Sequence, residues 1–137
     1  MCPKAGTTAP WKTVTRDQFD RSVAEALDQI PEIFRRKMDN VEVLVEDFAD
    51  RETLRSLDID SRWNLLGLYV GVPVIHQSFF SVNVLPDRIY LFRHPIVLAA
   101  GSPEKVPTVI KDVVIHELGH HLGFTDAQLY AMSGEET

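Results

Sequence analysis

An α+β domain with one small mixed β-sheet is the fold class this sequence predicts, on three observations. Apolar residues recur at three- and four-residue spacings near both ends of the chain, the mark of amphipathic helices. Between those ends lie the short runs VEVLVE and RIYLFR, which alternate as half-buried strands do. Proline and glycine punctuate the sequence between these segments. The resulting order is helix, strands, helix, short helix, with the sheet packed on an N-terminal helix and on the long helix near the C-terminus.

Taken in order, residues 1–12 carry Pro, Gly, Thr and Lys without periodicity and are expected to form a tail. Residues 13–137 form the single domain. Thr15 and Gln18 make a capping box. Phe19, Val23, Ala26, Leu27 and Ile30 then give one face of a helix, and Pro31 ends or kinks it at Ile30. Ile33 and Phe34 extend the pattern into a short second piece reaching about Met38. Residues 41–46 read as a strand, and 47–64 as a charged loop with one helical turn. Leu65–Val70 is a continuous apolar run stopped by Gly71 and Pro73; it fits a buried strand, and a short helix also fits. The segment Phe79–Leu85 takes no assignment. Arg88–Arg93, flanked by Pro86 and Pro95, reads as an edge strand on which an extended peptide could be added. Ser102-Pro103 starts the long helix, with Val106, Val109, Ile110, Val113 and Val114 as its apolar face. Gly123 is placed to stop that helix in a left-handed conformation. A last short helix covers about Thr125–Met132.

The composition excludes several function classes. With 137 residues, 45% of them hydrophobic, the chain can bury a core without disulfides. Its single cysteine, Cys2, rules out both a disulfide framework and a cysteine-based zinc ribbon. A net charge of −6 with no basic run argues against nucleic acid and anionic membranes as partners. The longest nearly apolar stretch, 65–75, is too short to span a bilayer. The first residues lack the apolar region of a signal peptide, so a cytoplasmic protein is expected.

Chemistry concentrates in HELGHHLGFTD at 116–126. His116 and His120 are four apart and lie about 40° from each other around a helix, so both imidazoles can reach one zinc ion. Glu117, beside the first histidine, is placed to act as base on a metal-bound water. A catalytic zinc normally takes a third protein ligand. The downstream glutamates, Glu135 and Glu136, lie in the terminal segment. The other route breaks the helix at Gly123 and returns a carboxylate ten residues after the first histidine, which is Asp126. The proposed ligands are therefore His116, His120 and Asp126. The same two-histidine, one-carboxylate set also fits iron or manganese.

The pattern HExxHxxGxxD, together with LPDRIYLFR at 85–93, LLGLYVGVP at 65–73 and VEVLVED at 41–47, resembles the minimal zincin family of small bacterial metallopeptidase-like proteins. The resemblance runs from about Asp17 to Met132. It implies a zincin-like core with a small sheet, an active-site helix, and ligands on that helix and the turn after it. The activity then expected is hydrolysis of peptide bonds in a peptide or protein substrate. A non-catalytic module that uses the same metal to bind a partner is the alternative. The 17 residues after His120 are few for a second cleft wall, so a partner chain or a second copy is expected to complete it.

Around the motif, His121 is rotated by about 100° from His120 and reads as a surface or supporting group. His76 and His94, near turns, read as solvated, with oxyanion stabilisation as a further role for either. Tyr130 and Met132 read as packing residues, although a phenol one turn after Asp126 could also serve an oxyanion.

Overall fold

The computed structural model describes residues 14–71, 86–125, 127–129 and 131. Helix α1 spans Arg16–Asp28. Its start is the expected capping box: the Gln18 N–H donates to Thr15 Oγ1, and the Thr15 N–H donates to Gln18 Oε1. Phe19, Val23 and Ala26 form its buried face. Pro31 then caps the short helix α2, Glu32–Arg35, which tightens into a 3₁₀ turn at Arg36–Asn40. The interruption falls where proline removes a helix donor.

Strand β1, Val41–Glu46, follows. Helix α3, Arg51–Ser56, supplies the helical turn expected in the charged loop, and the Asp50 carboxylate caps it by accepting the Thr53 N–H at 2.7 Å. A 3₁₀ turn at Arg62–Asn64 leads into strand β2, Gly67–Val70. Strand β3, Asp87–Phe92, runs directly into helix α4, Arg93–Ala100. A 3₁₀ turn at Pro103–Lys105 precedes helix α5, Val106–His121.

The sheet order is β1-β3-β2. Strand β1 pairs parallel to β3 from Val41↔Asp87 to Glu46↔Phe92, and β2 pairs antiparallel to β3 from Gly67↔Leu91 to Val70↔Arg88. The sheet is therefore small and mixed, as the sequence predicts.

The edge assignment of Arg88–Arg93 is corrected: β3 is the central strand. Ile89 and Leu91 are fully buried on its inner face, and Phe92 is buried on the other. The flanking prolines mark the strand's entry and the first turn of α4, where a missing N–H costs nothing. The strand at the margin beside α5 is β2. Its unbroken apolar run has two sources: Gly67 and Tyr69 meet α5, while Leu68 and Val70 lie over the other face with Tyr90 and Phe92.

The core lies between the inner face of the sheet and helices α1, α4 and α5. Phe19, Phe34, Ile89, Leu91, Ile96, Ile110, Ile115 and Leu118 fill it. Among the described residues, no helix is long and apolar enough to cross a membrane. Residues 1–12 and the segment Phe79–Leu85 lie outside the description.

Candidate metal centre

Two stripes run along α5. Val106, Ile110, Val114, Ile115 and Leu118 face the core. On another side, Val109, Val113, His116 and His120 fall within about 60° of one another, with Asp112 and Glu117 flanking them. The histidines thus sit on the only partly covered stripe of a helix whose opposite side is locked in place by packing.

His116 Nδ1 lies 2.9 Å from the Asp112 carbonyl oxygen. A carbonyl can only accept, so the Nδ1–H donates and Nε2 carries the lone pair. Such a backbone contact fixes the tautomer and orientation of a metal-binding imidazole. The His116 and His120 rings have centroids 6.1 Å apart and stand edge to face. Two Zn–N bonds of about 2.0–2.1 Å and the half-widths of the rings can span that separation.

Glu117 is anchored from the sheet. The Tyr69 N–H of β2 donates to Glu117 Oε1 at 3.0 Å. Burial pushes its carboxyl above the ordinary range, against the Tyr69 hydrogen bond and the charges of His120 and His116, which pull it down. A raised carboxyl is better matched to proton transfer near neutral pH. Gly67 makes this contact possible by letting β2 approach α5. A Cβ there would stand 2.4 Å from Val113 Cγ1 and 3.1 Å from the Tyr90 carbonyl oxygen.

After α5 the chain turns as expected. Gly123 has φ +96°, and the Phe124 N–H reaches back to the Gly119 carbonyl while the Gly123 N–H reaches that of His120. This pair of bonds is a Schellman cap. Thr125 then begins a new helical turn: the Gln128 N–H donates to Thr125 Oγ1, and the Thr125 N–H donates to Gln128 Oε1. Leu129, fully buried, packs onto Gly119, where a Cβ would lie 2.3 Å from Leu129 Cδ2. Phe124 and Leu129 are thereby folded back against the helix that carries the histidines.

The structure brings His116, Glu117 and His120 together on one turn of α5. Asp126, the predicted third ligand, lies outside the described residues, as do Cys2, His76, Tyr130 and Met132. Among the described residues, no three His, Cys, Asp or Glu side chains converge as a metal site. His121 points to another side of the helix, where it stacks on Tyr69 with centroids 4.1 Å apart and lies 3.7 Å from Asp87. His94 belongs to a separate cluster with Phe48 and Trp63. Two contributors escaped the sequence reading. The Asp112 carbonyl follows from helical spacing alone, four residues before His116. Tyr69, 48 residues from Glu117, leaves no local signal.

This combination of a small mixed sheet, a long helix with two histidines and a glutamate on adjoining faces, and a glycine turn behind it fits the zincin class of fold. A family profile described as zincin-like metallopeptidase matches residues 38–135, and the chain belongs to that family. No curated protein matches it. The donors fit the metal such a family implies: paired imidazoles, one with its tautomer set by a backbone carbonyl, beside a carboxyl held off the pair by its own hydrogen bond.

Proposed function

We propose that this domain is a zinc-dependent peptidase, with His116, His120 and Asp126 holding the metal and Glu117 acting as general base. The observation that carries the reading is the anchoring of Glu117: a half-buried carboxylate, fixed by the Tyr69 N–H, on the same helical turn as the paired imidazoles. A partly buried carboxyl held beside the proposed ligands is the arrangement that general-base catalysis calls for.

When bound, zinc acidifies a water molecule and polarises the substrate carbonyl. Glu117 accepts the proton of the attacking water on its carboxylate. The protonated carboxyl then gives that proton to the leaving nitrogen. The bond to the Tyr69 N–H occupies Oε1 and leaves Oε2 as the oxygen for this exchange. The Asp112 carbonyl holds the His116 ring so that Nε2 serves as ligand. The proposed substrate is a peptide or protein, and a partner chain or a second copy of this one is proposed to wall the cleft.

The test is Glu117→Gln in zinc-loaded protein against a broad peptide mixture, read by mass spectrometry. The variant should bind zinc as the wild type does and lose at least about a hundredfold in kcat/KM. Equal cleavage by both proteins removes Glu117 as the base. Zinc binding by both with cleavage by neither leaves a metal-held binding module.

A further inference from the structure

The face of the sheet turned away from α5 carries apolar side chains that the core does not use. Phe48, Leu68, Val70, Tyr90 and Phe92 line a groove of about 370 Å³ there. Phe92 is buried, but Phe48, Leu68 and Tyr90 are only half-buried, and Val70 is 39% exposed. Two exposed carboxylates, Glu46 and Asp50, belong to the same groove. Among the described residues, no basic side chain lines it.

Helix α3 is one wall of this groove, through its cap Asp50 and through Thr53. Arg51 and Arg55, one turn apart, lie on another side of the same helix. With Leu54 and Arg62 they line a second cavity of about 610 Å³. Helix α3 is thus a ridge, with an acidic aromatic groove on one side and guanidinium groups on the other. Arg51, Arg55 and Glu46 form no ion pair among the described residues, although Asp58 and Asp60 share the cavity with the arginines. Arg62 already lies over the Phe48 ring, at 3.9 Å.

A two-fold contact between identical chains needs one patch that carries both halves of the complement. This patch does. We infer that two copies of the chain associate through it, the α3 ridge of each entering the acidic groove of the other. Arg51 and Arg55 of one copy then face Glu46 and Asp50 of its partner, and their aliphatic stems lie over Val70 and Tyr90. Exposed ion pairs are individually weak, so the covered apolar surface supplies most of the association and the charges set its register. No residue lines both this groove and the one beside His116 and Glu117. The contact therefore does not wall the metal cleft, and it stands whether or not the domain is a peptidase.

The experiment is sedimentation velocity on the full chain over a range of concentrations. Wild type should form a dimer whose share rises with concentration, equally with and without zinc. Arg51→Glu/Arg55→Glu places acid against acid, and Glu46→Lys places base against base. Each variant alone should raise the dimer dissociation constant at least about tenfold. Mixed in equal amounts, with one of them fluorescently labelled, the two should form a heterodimer, because every ridge then meets a groove of opposite sign. All three positions are exposed, so the variants should melt as the wild type does.

A wild type that stays monomeric overturns the inference, and an oligolysine peptide bound by that monomer would assign the groove to a basic partner instead. Variants that dimerise as the wild type does, or a mixture that stays monomeric, also overturn it. A dimer that forms only with zinc runs through the α5 site and contradicts it as well.

Discussion

Glu117 shows what a single residue contributes to this fold and what it costs. Burial raises its carboxyl above the ordinary range, so the charged form present at neutral pH opposes folding. The sign is fixed by that direction: a raised carboxyl adds stability only at low pH and loses it as pH rises through the folded value. Glu117→Gln keeps an oxygen for the Tyr69 N–H and removes the buried charge. In metal-free protein at pH 7 the variant should therefore melt above the wild type, a gap that closes toward pH 4; a lower melting temperature at pH 7 would contradict the assignment. Residues that trade stability for chemistry in this way are common at active sites. The motif residues themselves were legible in the sequence because helical geometry turns a four-residue spacing into proximity without help from the rest of the chain. The Tyr69 contact was not, because it is made across 48 residues by a strand whose partner only the tertiary fold decides.

At the scale of elements, the start of α1, the proline break and the glycine stop were legible, since each depends on backbone chemistry within a few residues, whereas Ser102-Pro103 opens a 3₁₀ turn without a side-chain cap and α5 begins only at Val106. Thr15, Pro31 and Gly123 act where the sequence places them. Two readings failed for the opposite reason. Arg88–Arg93 alternates as an edge strand does, but strand position is set by what covers each side, and β1 and β2 cover both. Helix α4 was missed because proline in HPIVLAA suggests a break, whereas Pro95 sits in the first turn, where it is tolerated. The return of the chain onto α5 depends on Gly119 as well as Gly123. Gly119→Ala drives a methyl group against fully buried Leu129 and should destabilise the domain by about 1–3 kcal/mol in chemical denaturation. It should also weaken zinc binding, because the turn that follows Gly123 is displaced. A variant as stable as the wild type would show that Leu129 does not hold that turn in place.

Across the whole molecule, a cluster separate from α5 lies at the junction of β1, α4 and the 3₁₀ turn at 62–64, where Arg93 pairs with Asp47 and Arg62 lies over Phe48. His94 packs against Phe48 and Trp63, and its Nδ1 is buried without a hydrogen-bond partner among the described residues. Burial and the charges of Arg93 and Arg62 hold it below the usual histidine range, while Asp47 draws it upward. The unfolded chain thus binds a proton more readily, and stability falls as pH drops below about 6.5 through the folded value. The Asp47 carboxyl, held low chiefly by its hydrogen bond from Arg93, adds a second loss at more acidic pH, below the ordinary aspartate range. Thermal melts of metal-free wild type and His94→Gln between pH 7.5 and 5 check this, with the wild type losing more stability over that window. Parallel curves would mean that His94 does not contribute.

A catalytic metal here requires that the returning chain complete a site with the two imidazoles of α5. Zinc affinity, measured by competition with a chelator of known strength, tests this most directly in wild type, His120→Ala and Asp126→Ala. A single high-affinity site in the wild type, weakened at least about tenfold by either substitution, is the expected result. An Asp126→Ala variant that holds zinc as tightly as the wild type would contradict it.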